Sequence, residues 1–359
     1  MSQLELIHVV RRYGPVGGME RYVWELTQEL QQLGHRVSVI CERCHVEKPN
    51  GITVYELGEI APRPRWLSLL RFSRRVARFL ADHPCPNRVI HSHERLNTHH
   101  ITTFHGPPFA TVLDKPWWRL ISLRIAMQLF LERRELSTPR HVVPNSQFIR
   151  QSIAHYYPEL AHQLTEPIVP GVVPGVLREP RHVPADGGIV GFVGKEWQRK
   201  GLPWAVQMVA ALRRTRPNLQ LHVVGPAAAD VAHLFADWQG GYKLIGWSDQ
   251  AHYAAFDVLL HPARAEPYGM VISEAMAARV PVLISDVCGA AAHVTAVSGA
   301  VLPLSASLDT WVAALDQQLS RRELVPQFER SWRKVAEEYE AIYLEIHSAL
   351  AKSSRLRIE

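Results

Sequence analysis

Short apolar segments with strand character alternate with longer amphipathic segments along the whole of this sequence. This alternation predicts an α/β protein in which parallel sheets carry helices on both faces. The predicted strands of the first half are Leu4–Val10, Arg36–Ile40, Thr53–Leu57, Arg88–Ser92, His100–Phe104 and His141–Pro144. The predicted helices are Met19–Leu33, Trp66–Ala81, Trp117–Leu136 and Gln147–Tyr156. The first of these helices has apolar residues at helical spacing and ends at Gly34.

A second series of the same kind begins near residue 188. Its predicted strands are Ile189–Val193, Leu219–Val224, Lys243–Ile245, Asp257–Leu260, Val282–Ser285 and Ala300–Leu302. Helices are predicted at Leu202–Arg214 and Met270–Ala278, and the tail Ser331–Ala351 has the apolar stripe of a long helix.

A Pro/Gly-rich run separates the two series and indicates an interdomain linker. We therefore predict an N-terminal domain over 1–165, a linker over 166–187 and a C-terminal domain over 188–330. The remaining residues, 331–359, are expected to pack back on the N-terminal domain as a helix. Two Rossmann-like, doubly wound domains in tandem would present the carboxyl edges of their strands, where ligands bind, to a central cleft.

Composition narrows the class of partner. A length of 359 residues fits two domains of ordinary size. The formal net charge of +6 and the pI near 9.2 favour an anionic partner. Nucleic acid is not expected, because no basic and aromatic recognition module is present. Neither a signal peptide nor an apolar stretch of ~18 residues is visible, so we expect a cytoplasmic protein.

The segment Glu266–Glu274 is the most informative part of the sequence for function. Two carboxylates stand on either side of Gly269, where the loop after a predicted strand becomes a helix. The start of that helix has backbone N–H groups that suit a phosphate or a sugar oxygen. This arrangement favours a nucleotide-sugar site, although the spacing alone also fits a loop and helix with two solvated glutamates.

In each half, one glycine-containing loop follows the first strand. Gly17 and Gly18 allow close approach of the backbone at the start of the first helix, or form a tight structural turn. The loop Gly194–Gly201 contains Lys195, Arg199 and Lys200, whose charges would neutralise a leaving diphosphate. A solvated basic loop is the alternative interpretation.

Together these motifs resemble, in their order along nearly the whole chain, the retaining glycosyltransferases of family 4, which have the GT-B fold. The elements that carry the resemblance are Gly17–Arg21, Lys195–Gly201, Asp257–Pro262, Glu266–Glu274 and Pro281–Gly289. Within that family they look most like lipopolysaccharide core glucosyltransferases.

The resemblance implies a role for each matched residue. Lys200 with Lys195 or Arg199 would bind the diphosphate, and Glu274 the ribose hydroxyls. Glu266 and the backbone of Tyr268, Gly269, Met270 and Val271 would contact the donor sugar, while Gly17 and Gly18 would close on the phosphates. His105 resembles a histidine that some members place beside the reacting sugar, and a structural role for it stays open. Lys200, Glu266 and His105 are thus the candidate catalytic residues.

Some family features are missing, and their absence bears on the donor and on the mechanism. The segment Pro170–Val173 stands where the family has Asn-Gly-Val-Asp, and no acid follows the Cys288–Gly289 turn, which puts the identity of the donor in doubt. No D-x-D occurs, so we expect no metal cofactor, and protein cations would carry the charge of the leaving group. His91 and His93 share a strand face, so a metal there is geometrically possible, but no carboxylate or cysteine accompanies them.

Two basic, amphipathic segments, Arg63–Phe79 and one that begins at Lys115-Pro-Trp117-Trp118-Arg119, suggest contact with an anionic membrane surface. Core-packed helices with a solvated basic face are the alternative. We therefore expect a retaining, metal-independent hexosyltransferase, peripherally associated with the inner membrane. It would move a hexose from a UDP-sugar such as UDP-glucose to a lipopolysaccharide core or related glycan. A nucleotide-sugar epimerase of the same fold and a non-catalytic sugar-nucleotide-binding homologue are the alternatives.

Overall fold

The computed structural model describes residues 3–85, 87–248 and 253–355. The chain forms two compact units: unit 1 comprises Met1–Gly171 with Arg330–Glu359, and unit 2 comprises Val172–Glu329. The Pro/Gly-rich segment 166–187 is thus divided between the units, with residues up to Gly171 in unit 1 and those from Val172 in unit 2.

The strands in chain order are β1 (Glu5–Val9), β2 (Arg12–Tyr13), β3 (Arg36–Cys41), β4 (Arg43–Cys44), β5 (Ile52–Glu56), β6 (Val89–Ser92), β7 (Ile101–Phe104), β8 (His141–Pro144), β9 (Gly187–Val193), β10 (Asn218–Val224), β11 (Tyr242–Gly246), β12 (Val258–His261), β13 (Val282–Ser285) and β14 (Gly299–Leu302). The α-helices are α1 (Gly18–Gln32), α2 (Arg65–Asp82), α3 (Leu123–Ser137), α4 (Gln147–Tyr156), α5 (Leu202–Leu212), α6 (Ala228–Val231), α7 (Met270–Ala277), α8 (Leu308–Leu319) and α9 (Trp332–Arg355). Among these helices, none is both long and apolar enough to cross a bilayer.

Unit 1 is built on a parallel sheet of six strands in the order β5-β3-β1-β6-β7-β8. The chain winds outward from β1 in one direction and then restarts at β6 in the other, so the switch point lies between β1 and β6. Strands such as β7, buried along their whole length, form the core because helices cover both faces of the sheet. A two-residue parallel pair, β2 with β4, extends this unit beyond the predicted elements.

Unit 2 repeats the same topology with the strand order β11-β10-β9-β12-β13-β14, again entirely parallel. Its switch point lies between β9 and β12. The core residues Val190, Phe192, Leu260 and Leu283 of the sheet pack with Trp311 of α8. Because ligands bind at the switch points of such sheets, each unit has one expected site.

The C-terminal helix α9 belongs to unit 1, where it packs on α1. Its buried stripe includes Val335, Tyr339, Tyr343 and Ile346. The Tyr339 hydroxyl lies 2.9 Å from that of Tyr22 in α1. The helix therefore contributes hydrogen-bonding groups, as well as apolar area, to the interior of this unit.

The predicted helix Trp117–Leu136 is wrong in its first turns. The structure has a short 3-10 helix at Trp117–Arg119 and begins α3 only at Leu123. Ser122 is extended, with φ of −156°, so it interrupts the helical path. Trp117, Trp118 and Ile121 before α3 are exposed, so no packing against a core holds this segment in one continuous helix with α3.

Candidate functional site

The two loops that leave the switch-point strands of unit 2 touch each other. A Cβ atom at Gly201, whose φ is 82°, would lie 2.1 Å from the Pro262 carbonyl oxygen. The backbone N–H of Arg264 donates to the Arg199 carbonyl at 2.9 Å. Only glycine permits this approach, because any side chain would collide with backbone. The contact brings the cationic loop after β9 against the glutamate loop after β12.

Lys200 and Glu266 form a largely buried ion pair where these loops meet. Lys200 Nζ lies 3.1 Å from Glu266 Oε2. The lysine side chain crosses Gly194, where a Cβ atom would be 2.2 Å from Lys200 Cδ. Burial raises the pKa of the Glu266 carboxyl, but the Lys200 charge and neighbouring donors outweigh it and hold that pKa well below its usual range. Glu266 is therefore ionised throughout the physiological range.

A third residue, His261 at the end of β12, completes this cluster. Its Nε2 lies 3.3 Å from Glu266 Oε2, and the ring is fully buried. Burial lowers the pKa of His261, so the neutral ring donates Nε2–H to the carboxylate. Sequence analysis assigned no role to His261, although a histidine ending a buried strand at a switch point is a usable signal.

The three predicted cations of the loop differ in their surroundings. Arg199 is 3.7 Å from Glu266 Oε2, but its guanidinium also pairs with Glu196 and donates to the Ala265 carbonyl. The Lys195 side chain is exposed. Of the three, Lys200 is therefore the cation whose position is fixed by burial.

The loop before α7 is held by backbone hydrogen bonds. Gly289 N–H donates to the Glu266 carbonyl at 2.9 Å, and Ala290 N–H donates to that of Tyr268 at 2.7 Å. The Tyr268 hydroxyl lies 2.9 Å from Ser273 Oγ. Gly269 has a φ of 94°, which turns the chain into α7 and places Met270 and Val271 in its first turn. A fixed helix start of this kind can receive an anion or a sugar oxygen.

Glu274 lies one turn further along α7 and accepts a hydrogen bond from the Tyr253 hydroxyl at 2.5 Å. Glu274 as a whole is half-buried. Sequence analysis did not single out Tyr253, because this contact joins a residue before β12 to a helix after it.

In unit 1, the loop of Gly17 and Gly18 is already occupied by a carboxylate. A Cβ atom at Gly17 would lie 2.4 Å from Glu20 Oε2, whereas one at Gly18 meets no heavy atom within 4 Å. Arg12 Nε donates to Glu20 Oε1 at 2.9 Å. The start of α1 therefore has its own internal anion, and a phosphate could bind there only if Glu20 turned away.

His105 follows β7 and is joined to two other histidines. Its Nε2 lies 2.9 Å from His93 Nδ1, and His93 Nε2 lies 3.2 Å from His8 Nδ1. The His105 ring also packs edge-on against Tyr22, with ring centroids 4.9 Å apart. Burial lowers the pKa of His105 to about 3 and that of His8 to about 3, so these rings are neutral.

His8, His91 and His93 bring ring nitrogens within 4.8 Å of one another, which is a possible metal-binding geometry. Hydrogen bonds, however, use both nitrogens of His91: Nδ1 lies 2.6 Å from the Tyr343 hydroxyl, and Nε2 lies 2.7 Å from Thr103 Oγ1. A metal ion would have to break one of these bonds, so the geometry favours a hydrogen-bonded cluster.

Two parallel α/β units of the same strand order, each with a polar cluster at its switch point, have the architecture of the GT-B fold. Residues 16–174 match the model described as Glycosyltransferase Family 4, and residues 187–321 match the one described as Glycosyl transferases group 1. The chain belongs to the glycosyltransferases of family 4.

Its relatives differ in their substrates. A D-inositol 3-phosphate glycosyltransferase of Geodermatophilus obscurus is 26% identical over 402 aligned positions, which cover 95% of this chain and 88% of that protein. The crystal structure of WaaG, a glycosyltransferase involved in lipopolysaccharide biosynthesis, superposes with a TM-score of 0.72 at 19% identity, covering 98% and 99% of the two chains. Anabaena Alr3699/HepE in complex with UDP-glucose has a TM-score of 0.63 at 15% identity, covering 98% and 100%.

Proposed function

We propose that the protein is a retaining hexosyltransferase that takes a hexose from a UDP-sugar, such as UDP-glucose, and transfers it to a lipopolysaccharide core or related cell-surface glycan. The observation that carries the proposal is the buried Lys200–Glu266 pair at the switch point of unit 2. A fixed ammonium group at this point suits a diphosphate that gains negative charge as it leaves.

The other residues around the pair divide the donor among them. Lys200, with Arg199 and Lys195, binds the diphosphate, and Glu274 binds the ribose hydroxyls. The donor sugar contacts Glu266 and the backbone from Tyr268 to Val271. Glu266 makes its contacts with Lys200, Arg199 and His261 through Oε2, so Oε1 is the oxygen assigned to a sugar hydroxyl.

In unit 1 we assign His105 to a hydroxyl of the reacting sugar, and Gly17 and Gly18 to a phosphate oxygen. Binding at the glycines requires the Glu20 carboxylate to leave the position it holds against Gly17. A Glu20 rotamer change on nucleotide binding is therefore part of the proposal.

The reaction follows from these assignments. The bond between C1 of the hexose and the diphosphate oxygen breaks as the acceptor approaches, through an oxocarbenium-like transition state. The acceptor oxygen attacks C1 on the same face, and its proton passes to the departing phosphate oxygen. Because the attack is on the same face, the configuration at C1 is retained. Lys200 stabilises the diphosphate charge, so no divalent metal is required.

The donor is tested by thermal shift with UDP-, GDP-, ADP- and TDP-sugars, because specific binding raises the melting temperature by mass action. UDP-glucose is bound by HepE, whose structure resembles this chain, and this favours the uridine donor. We expect the largest shift with a UDP-sugar and its loss in Lys200→Ala. A larger increase in melting temperature with GDP-mannose would contradict the uridine donor and indicate a guanosine donor.

The acceptor is tested by incubation of the identified donor with purified lipopolysaccharide core, with D-inositol 3-phosphate and with no acceptor. The first is motivated by WaaG and the second by the Geodermatophilus relative. NMR of the product anomeric centre then shows whether configuration is retained. A new sugar epimer in the reaction without acceptor would indicate an epimerase instead.

We also propose that unit 1 binds an anionic membrane surface, with the protein on the cytoplasmic face of the inner membrane, through the segment before α3. Trp117, Trp118, Ile121 and Leu123 are 69%, 62%, 76% and 69% exposed. They adjoin a cavity of about 320 Å³ lined by Phe109, Thr111, Val112, Lys115, Arg124 and Ile125. Exposed aromatic residues beside basic ones are typical of interfacial membrane contact.

Helix α2 contributes to this surface through the exposed Arg71, Arg74 and Arg75, because its apolar residues Leu69, Phe72 and Val76 are buried in the core. The test is sedimentation with vesicles that contain phosphatidylglycerol. Replacement of Trp117 and Trp118 by serine should abolish sedimentation, whereas Phe148→Ser, an exposed aromatic of α4, should leave it unchanged. Equal sedimentation of wild type and the double variant would contradict the proposal.

A further inference from the structure

The row His8–His93–His105 has two ends. His93 uses both of its ring nitrogens, one toward each neighbour. At one end, His105 Nδ1 makes no hydrogen bond to any group of the described residues, and the ring is only half-buried. At the other end, His8 Nε2 is buried without a partner among those residues. The row therefore connects an accessible nitrogen to a buried one.

The hydrogens in this row are coupled. Each neutral imidazole has one N–H, and His93 can donate to one neighbour only while it accepts from the other. If His93 donates Nδ1–H to His105, then His8 must donate Nδ1–H to His93, and all three rings carry hydrogen on Nδ1. If His105 donates Nε2–H to His93, all three carry it on Nε2. Mixed states leave one of the two bonds unmade.

The buried end decides between these states. With hydrogen on Nε2, His8 would direct an N–H into the interior without an acceptor, which is the rarer and costlier defect. With hydrogen on Nδ1, His8 instead leaves an unused lone pair.

His91, the neighbouring ring, offers His8 no acceptor because its own bonds are directional. Tyr22 donates to the Ile168 carbonyl, so it accepts from Tyr339, which in turn accepts from Thr103. Thr103 accordingly accepts from His91 Nε2–H, and His91 Nδ1 accepts from Tyr343. This second row runs from Tyr22 through Tyr339, Thr103 and His91 to Tyr343. Both ring nitrogens of His91 are already paired within it.

We infer that His93 and His8 are positioning residues that hold His105 with its hydrogen on Nδ1. This rests on the proposed function in so far as His105 meets the reacting sugar. His105 then presents a donor, and donates to a sugar oxygen; it does not take the acceptor proton. The proton must go to the departing phosphate oxygen instead.

The inference is tested first on the wild-type protein, without any substrate. Protein labelled with ¹⁵N only in histidine is examined by two-dimensional NMR, which distinguishes the protonated from the unprotonated ring nitrogen. Single variants of His8, His93 and His105 assign the three rings. We expect Nδ1–H at all three positions, and Nε2–H at His105 would overturn the inference. Because this spectrum needs no transfer activity, it stands or falls separately from the proposed function.

Two substitutions of His93 then test its effect on His105. His93→Leu removes the donor to His105 Nε2, so Nε2–H should appear at His105 and kcat should fall about 10-fold with little change in the donor KM. His93→Gln has an amide N–H that can donate in place of Nδ1–H and should restore both the tautomer and most of kcat. His105 that keeps pure Nδ1–H in His93→Leu would overturn the inference. If the leucine variant does not fold, the wild-type spectrum decides.

Discussion

The two units share one strand order but have different chemistry at their switch points. In unit 2 the buried carboxyl, Glu266, is kept ionised by Lys200. In unit 1 a row of neutral histidines lies beside the Arg12–Glu20 pair, and burial raises the pKa of Glu94 to about 7 and that of Glu135 to about 8. The comparison shows that the fold determines where a ligand meets the sheet, whereas a few side chains decide whether it meets a charge or a neutral hydrogen bond.

The largest effect expected from this contrast is that of Lys200→Ala. Loss of one fixed charge beside the diphosphate should lower kcat by about 10²–10³. Steady-state transfer assays measure it, and the control is Lys243→Ala, which removes an exposed lysine of β11 in the same unit. Near-normal turnover of folded Lys200→Ala would show that unit 2 does not depend on this charge.

Glycine substitutions compare the two loops by stability. Gly201→Ala places a methyl group against the Pro262 carbonyl at a positive φ, so it should cost more than about 2 kcal/mol of unfolding free energy. Gly18→Ala adds a methyl group to open space at the start of α1 and should change stability by less than about 0.5 kcal/mol. Urea unfolding of both variants measures the difference. Equal losses would mean that the loop contact of unit 2 is not specially constrained.

The pKa of buried Glu135 is raised and that of buried Glu266 is lowered, which predicts opposite effects of pH on folding stability. Burial favours protonated Glu135 in the folded state, so its stabilising effect is complete below the unfolded pKa of about 4.5 and is lost as pH rises to about 8. The melting temperature should therefore fall by a few degrees less between pH 5 and 8 in Glu135→Gln than in the wild type. Glu266 has a lowered pKa, so its contribution is present above about 4.5 and is lost at more acidic pH.

Thermal unfolding at several pH values, with wild type, Glu135→Gln and Glu266→Gln, separates the two cases. Glu266→Gln should flatten the profile only below about pH 4.5. A flatter profile of Glu135→Gln in acid, with no change above pH 5, would contradict the assignment for unit 1.

The smallest expected effect is that of metal removal. The proposed role of Lys200 at the leaving group predicts that transfer after dialysis against EDTA equals that of the untreated protein. Activity that disappears and returns with Mn²⁺ or Mg²⁺ would show that protein cations alone are insufficient. His8, His91 and His93 would then be the metal ligands to test.

Much of the fold could be predicted from the sequence because central strands such as β7, β12 and β13 are short apolar runs with burial on both faces. Predicted and observed bounds agree to within about two residues for β1 and β9, and β13 agrees fully. The predicted helical start at Trp117 was wrong for the opposite reason, because apolar residues before α3 lie in solvent.

The site was predictable only where its residues lie in motifs. Lys200 and Glu266 lie in loops and Glu274 in α7, all within motifs whose spacing is visible, whereas His261 and Tyr253 gain meaning only from the carboxylates they contact. The hydrogen-bonded rows of side chains in unit 1 join residues far apart in sequence, such as Tyr22 and Tyr339. No local sequence pattern predicts such a contact. Metal independence and the membrane surface stay predictions.

Helix α9 has a consequence for the order in which the protein matures on the ribosome. The tyrosines that complete the interior of unit 1 are synthesised after the whole of unit 2. During elongation, the nascent first unit must wait without the Tyr339 bond to Thr103 and the Tyr343 bond to His91 while unit 2 emerges and folds, since domains fold as they are made. Ribosome-bound chains that end near residue 320 should therefore show a protease-resistant unit 2 and a unit 1 still open to cleavage.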